Sequence, residues 1–294
     1  MHTRNRLLIL ILGMVGIAAA QQHNSGAGVT FSFSVVDYPG VSATQGVHAI
    51  NDKGQIVGYY LDQSSVIHSY GLQNTTFKTI DVPSAATEVW GINKSGAVVG
   101  QYTADQGETY HGFLLKGNVY STIDYPGAAF TSVTGINAGG VMVGRYFVQS
   151  SIFHGFVLRG GQFTSFDFPG AVTTSPFGIS STGELVGGYE DQNNAFHGFT
   201  YLNGTYTAVD YPGANVTQLQ GVNDRGDVVG SYSTDTGMTW HSFLLKDGTF
   251  TSFDVPFITS LKWTFAQGVN NNNQIVGDYY DTSGYHFGFL ASYQ

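Results

Sequence analysis

The sequence predicts an all-β fold, a six-bladed propeller with four antiparallel strands per blade, and three observations carry that prediction. An Asp-aromatic/Val-Pro unit begins at Asp37, Asp81, Asp124, Asp167, Asp210 and Asp254, at steps of 44, 43, 43, 43 and 44 residues. A period of about 40–50 residues marks a stacked or radial repeat. Within each period, short β-rich runs alternate with Gly, Asn and Asp pairs, and no segment carries a 3.6-residue apolar period. The third observation concerns the ends. The last unit stops after a third strand, 285–293, while Phe33-Ser34-Val35-Val36-Asp37 near the start matches the fourth strand of other units, such as Phe250 to Asp254.

In chain order, residues 1–20 read as a secretory signal. Arg4 and Arg6 precede an apolar run from Leu7 to Ile17, and Ala18-Ala19-Ala20 offers a small-residue cleavage site. That run is short for a membrane span of about 20 residues. Residues 21–28 read as a short linker and 29–294 as the propeller. Export to the extracellular or periplasmic space is expected, with no membrane insertion once the signal is removed. Loss of Arg4 and Arg6 leaves 9 basic against 20 acidic side chains, a net charge of −11, which repels nucleic acid. There is no cysteine, so packing between repeats must supply the stability. No cofactor is implied, and the chain reads as a monomer.

The segment Phe31 to Asp37 is the orphan strand. An open solenoid would need capping repeats, whereas this strand is what the incomplete last blade lacks, so the two termini should share one blade. The unit at 87–124 shows the grammar of a blade. Thr87 to Ile92 is a first strand and Asn93 to Gly96 a turn. Ala97 to Tyr102 and His111 to Lys116 follow, and after Gly117-Asn118 the fourth strand runs from Val119 to Asp124.

Five of the six third strands carry a His-small-aromatic triplet: His68-Ser69-Tyr70, His111-Gly112-Phe113, His154-Gly155-Phe156, His197-Gly198-Phe199 and His241-Ser242-Phe243. Each of these histidines precedes an Asp by 13 residues, and the midpoint falls on a two-residue turn such as Asn203-Gly204 or Asp247-Gly248. That register sets His68 opposite Asp81, His111 opposite Asp124, His154 opposite Asp167, His197 opposite Asp210 and His241 opposite Asp254. The reading is one structural pair per blade. Histidines on third strands lie too far from the axis to converge on one metal ion, and no metal site is expected. In the last unit, aligning Phe289 with Phe113 puts Phe287 in the histidine place and turns His286 to the other face.

These triplets resemble the repeats of HAF-type extracellular proteins, over essentially the whole chain after residue 20. The resemblance implies an exported bacterial repeat protein and carries no common activity. The last copy, His286-Phe287-Gly288-Phe289, departs from it.

Residues common to every blade are scaffold, so function is sought where blades differ. First strands should line the channel. One of their positions reads Gly46, Glu88, Ser132, Ser175, Gln218, Phe265, and another His48, Trp90, Thr134, Phe177, Gln220, Gln267. The sixth unit adds Lys262 and Trp263 in its crossing. Candidate ligand-binding residues are therefore His48, Glu88, Trp90, Gln220, Lys262, Trp263 and Gln267. They make an aromatic-lined polar site, unless Trp90 merely plugs the channel and Glu88 is solvated at its mouth. Acids in the loops between second and third strands, Asp62, Asp105, Glu190, Asp191, Asp235 and Asp281, read as loop residues, since no loop gathers several oxygens as a calcium site does. No Gly-x-Ser-x-Gly elbow, His-Glu-x-x-His helix or phosphate loop occurs. Two functions remain open. One is a binding module for a glycan, peptide or protein. The other is an extracellular polysaccharide-active hydrolase or lyase with His48 and Glu88 as base and acid.

Overall fold

The structure is a computed structural model that describes residues 21–24, 28–41, 45–149, 152–257, 261–282, 284 and 286–294, the side chains of 21–24, 261, 262 and 281 excepted. The segment read as a signal, residues 1–20, lies outside the described residues, as does Tyr285. Blade one comprises Gln45–Ile50, Ile56–Leu61, Ile67–Gln73 and Thr76–Thr79. Blade two comprises Ala86–Ile92, Val98–Thr103, His111–Lys116 and Val119–Ile123, within a residue of the sequence reading. Residues 130–166, 173–208 and 216–253 repeat the pattern as blades three to five, each a four-stranded antiparallel sheet in chain order.

Blade six is built from both ends of the chain. Its strands run, from the axis outward, Leu261–Val269, Gln274–Asp281, His286–Tyr293 and Thr30–Val36. Phe31 pairs with Tyr293, Phe33 with Ala291 and Val35 with Phe289. Residues Gln21–Asn24, which the sequence assigns to a linker, pair with Thr30–Val36 as a fifth, outermost strand.

The closing strand serves two interfaces. Phe31 and Phe33 are fully buried and pack with Phe253 of blade five, the Phe31 ring 4.6 Å from it. Val36 packs with Val47 and Ile50 of blade one. Each buried phenyl ring contributes about 1.5–3 kcal/mol by leaving water, so closure rests on packing as well as on the ladder.

The recurring residues have structural causes. Glycine in the Val-Gly pair is where a third-strand aromatic ring lies on the second strand. A Cβ on Gly100 would overlap the Glu88 carbonyl and come within 2.8 Å of the Phe113 ring. The aromatic of the Asp-aromatic-Pro unit crosses to the next blade and stacks on its second-strand tyrosine. Tyr125 lies 3.6 Å from Tyr146 at 9°, and Tyr211 lies 3.6 Å from Tyr232 at 8°. A first-strand threonine fixes the crossing, since Thr131 accepts from the Tyr125 amide and Thr217 from the Tyr211 amide.

The asparagines after the first strands do more than cap their own turns. Asn93 Oδ1 accepts from the Ser95 and Ala97 amides, as an Asx turn requires. Its Nδ2 meanwhile donates 3.1 Å to the Asn137 carbonyl of the next blade. Asn51 reaches Asn93, Asn137 reaches Ser180, Asn223 reaches Asn270, and Asn270 reaches Asn51 across the chain ends. Blade four has Ser180 at this place, too short to cross, and the Ser181 amide donates to Asp224 instead. A hydrogen-bonded ring thus ties six blades at one mouth of the channel.

Candidate functional site

Every first strand carries a register shift at the same place. The shifts fall between Val47 and Ala49, Val89 and Gly91, Val133 and Gly135, Pro176 and Gly178, Leu219 and Gly221, and Ala266 and Gly268. The residues passed over are His48, Trp90, Thr134, Phe177, Gln220 and Gln267. A bulge re-aims the extra side chain out of the ladder, and all six line an axial cavity of about 100 Å³. Four of the predicted site residues, His48, Trp90, Gln220 and Gln267, are brought together there.

His48 and Trp90 stack, with ring centroids 4.2 Å apart and planes 5° from parallel. His48 Nδ1 donates to the Val89 carbonyl at 2.6 Å. Gln220 Nε2 bonds Gln218 Oε1 at 3.2 Å, and Gln267 Nε2 bonds Asp278 Oδ1 at 3.1 Å.

Glu88 stands one pleat from Trp90 and accepts a 3.0 Å bond from Gln101 Nε2, its partner across the ladder. Burial pushes its carboxyl above the ordinary 4.5, against the opposing charge of His48, the Gln101 bond and the charge of Arg145. Arg145, on the second strand of blade three, is a candidate site residue that the sequence reading missed. Its guanidinium lies 4.5 Å over the Phe153 ring and 5.9 Å from Phe177. Burial lowers its pKa, with Glu88 acting the other way. Its Nε is buried without a hydrogen-bond partner among the described residues, as are Trp90 Nε1 and Gln101 Oε1. The sequence held a signal for it. The residue between the Val-Gly pair and the following tyrosine reads Tyr59, Gln101, Arg145, Gly188, Ser231 and Asp278. That place varies as strongly as the first-strand positions.

Trp263 lies apart from Trp90. Its Nε1 donates to the Met238 carbonyl at 2.9 Å, and its ring meets Tyr280 edge-on at 5.1 Å. Successive ring contacts then link Tyr280 to His286 at 3.8 Å, His286 to Tyr59 at 6.0 Å, and Tyr59 to His48 at 5.1 Å. The Lys262 side chain lies outside the described residues.

The five repeated histidines sit far from this sector. Nδ1 of His68, His111, His154, His197 and His241 lies 2.7, 3.0, 2.9, 2.8 and 2.7 Å from Asp81, Asp124, Asp167, Asp210 and Asp254. In blade six, Phe287 pairs with Tyr279 as His111 pairs with Tyr102. His286 is buried and lies 2.6 Å from Asp278. Asp105 and Asp235 hold their own loops, each bonding a threonine hydroxyl and amide four residues on. Among the described residues no group of three or more His, Asp or Glu side chains is placed to hold a metal ion.

No protein-family model and no curated protein matches the chain. Solved structures do. AofleA from Arthrobotrys oligospora is 12% identical, with a TM-score of 0.58 over 91% of this chain and 88% of that one. A gluconolactonase from Xanthomonas campestris, XC5397, is 9% identical, with a TM-score of 0.55 over 94% and 95%. A fungal lectin of Aleuria aurantia, described as a six-bladed β-propeller with a novel fucose recognition mode, is 10% identical, with a TM-score of 0.52 over 84% and 91%. At such identities the likeness is one of fold, and this chain shares with them the six-bladed β-propeller.

Proposed function

We propose that the protein is an exported binding module that takes a glycan at the channel mouth, on the sector formed by Trp90, Glu88 and Arg145. The observation that carries this reading is Arg145. It is a cation between two aromatic rings that makes no hydrogen bond or ion pair among the described residues, close enough to Glu88 to feel its charge. A planar donor fork, a carboxyl group and an indole face together form the polar-aromatic surface that polyhydroxylated ligands use. Glycan recognition by the Aleuria aurantia lectin on the same architecture supports the ligand class. The HAF-like repeats and the signal-like residues 1–20 support export, extracellular or periplasmic.

The acid–base alternative finds less support. His48 commits Nδ1 to the Val89 carbonyl and one ring face to Trp90, and no bond joins it to Glu88. The cavity at these residues, about 100 Å³, falls below the roughly 300–1,000 Å³ of enclosed ligand sites. A ligand therefore seats on the mouth rather than inside it.

The test is a screen of glycans and polysaccharides against wild type, Trp90→Ala, Arg145→Met and His48→Ala. Saturable binding lost in Trp90→Ala and Arg145→Met is expected. Turnover abolished in His48→Ala with binding kept would replace the module with an enzyme. Silence of the wild type across the screen would overturn the glycan reading and leave a peptide or protein ligand.

A further inference from the structure

Between blades one and two, lined from Ile92 on the innermost strand of blade two out to Lys78 on the outermost strand of blade one, lies a second and larger cavity of about 650 Å³. Its origin is a single residue. The third-strand position that pairs with the valine of the Val-Gly unit holds Leu114, Val157, Thr200, Leu244 and Leu290 in blades two to six, and Gly71 in blade one. Leu114 packs into the core between blades two and three, Leu244 into that between five and six, and Leu290 into that between six and one. At Gly71 no side chain fills the corresponding space between blades one and two, and a slot remains. Its floor is apolar, made of Ile56, Val57, Leu72 and Ile80 from blade one and Val98 and Leu115 from blade two. The rim is polar but neutral, with one exception. Lys78, paired directly across the ladder from Gly71, is the single charged residue on the wall among the described residues. No Asp or Glu lines the slot in a chain that has 20 of them against 11 Lys and Arg. Among the described residues, Lys78 makes no ion pair.

We propose that this slot is a binding site for a small amphipathic carboxylate, its alkyl body on the Ile56–Leu115 floor and its head group against the Lys78 ammonium. The volume falls within the range of small-molecule sites, roughly 300–1,000 Å³. Burial of an alkyl chain on the floor supplies affinity, while the lone cation on a neutral rim selects the sign of the head group. The site is separate from the channel mouth and independent of what binds there.

Isothermal titration with decanoate, beside decylammonium as the cationic control, tests it. Decanoate should bind saturably and decylammonium about tenfold more weakly or not at all. Gly71→Leu should restore the side chain of the other interfaces and abolish decanoate binding at an unchanged or higher melting temperature. A Cβ there meets only the Ile80 side chain, at 3.0 Å from Cδ1 and 3.8 Å from Cγ1. Lys78→Met changes an exposed residue, leaves the fold intact, and should weaken decanoate about tenfold while equalising the two probes. The proposal is overturned if decanoate fails to bind wild type, if decylammonium binds equally, or if Lys78→Met keeps full decanoate affinity.

Discussion

His48 lies flat on Trp90, centroids 4.2 Å apart and planes 5° from parallel, although the two residues belong to neighbouring blades. Both sit at the register shift of their own first strand, and the shift aims both at the axis. The contact therefore joins two blades at the channel. His48→Ala would remove the stack and the bond to the Val89 carbonyl together. A loss of about 1–2 kcal/mol is expected in urea titration, with the melting transition still cooperative.

Closure by the N-terminal strand predicts a large effect from one ring. Phe33 is fully buried among Phe253 and Phe289, with centroids at 6.0 and 6.1 Å. Phe33→Ala should cost about 3–5 kcal/mol in the same assay. A loss below about 1 kcal/mol, the usual effect of a surface change, would mean that the strand is not part of the folding unit.

The ring of asparagines predicts a smaller, separable effect. Asn270→Ser copies the residue that blade four uses naturally. Ser180 Oγ still accepts from the Glu184 amide, so a serine keeps the turn and loses the bridge. The bond from Asn270 to the Asn51 carbonyl, 3.0 Å across the chain ends, would be lost at about 0.5–1.5 kcal/mol. Asn270→Ala would lose both roles and should cost more.

Two titrating groups make stability fall in the same direction as pH rises, because both have raised folded-state pKa values. The Asp254 hydrogen bond raises the pKa of His241 above 6.5, with burial opposing it and the Asp254 and Asp235 charges assisting. A folded-state pKa above the unfolded one contributes stability fully below pH 6.5 and loses it as pH rises through the folded value. The melting-temperature advantage of wild type over His241→Gln should therefore be largest in mild acid and shrink above pH 6.5. His154 and Asp167 are 39% and 45% exposed, so His154→Ala should cost no more than about 1 kcal/mol.

Burial raises the Glu88 carboxyl above the ordinary 4.5, with the His48 charge, the Gln101 bond and the Arg145 charge opposing it. Its contribution is present below pH 4.5 and is lost as pH rises through the folded-state value. Glu88→Gln, which carries no charge to bury, should melt higher than wild type at pH 7, and the gap should close near pH 4.

Much of this architecture was legible in the sequence because repetition reports what every blade shares. The Asp-aromatic-Pro spacing gave the blade count, and the similarity of Phe33–Asp37 to Phe250–Asp254 gave the closure. The 13-residue interval placed each histidine opposite its aspartate. What stayed hidden depends on register and on neighbours. The bulges at His48 and Trp90 appear only when two strands are aligned. The reach of Asn93 Nδ2 to Asn137 depends on the distance between blades. Gly71 looks like any strand glycine until Leu114, Leu244 and Leu290 are seen filling the same space elsewhere. Trp263 enters the candidate site through its irregular place in the sixth unit, yet three rings stand between it and His48.

The measurement closest to the central claim uses the three tryptophans of the chain. Their indole N–H resonances are separable in a ¹⁵N-labelled sample. Trp240 and Trp263 each donate to a backbone carbonyl, at 3.1 and 2.9 Å, while Trp90 Nε1 has no hydrogen-bond partner among the described residues. Titration with a glycan that binds should move the Trp90 resonance and leave those of Trp240 and Trp263 in place. A bound glycan that leaves the Trp90 resonance unmoved would contradict a site at the channel mouth.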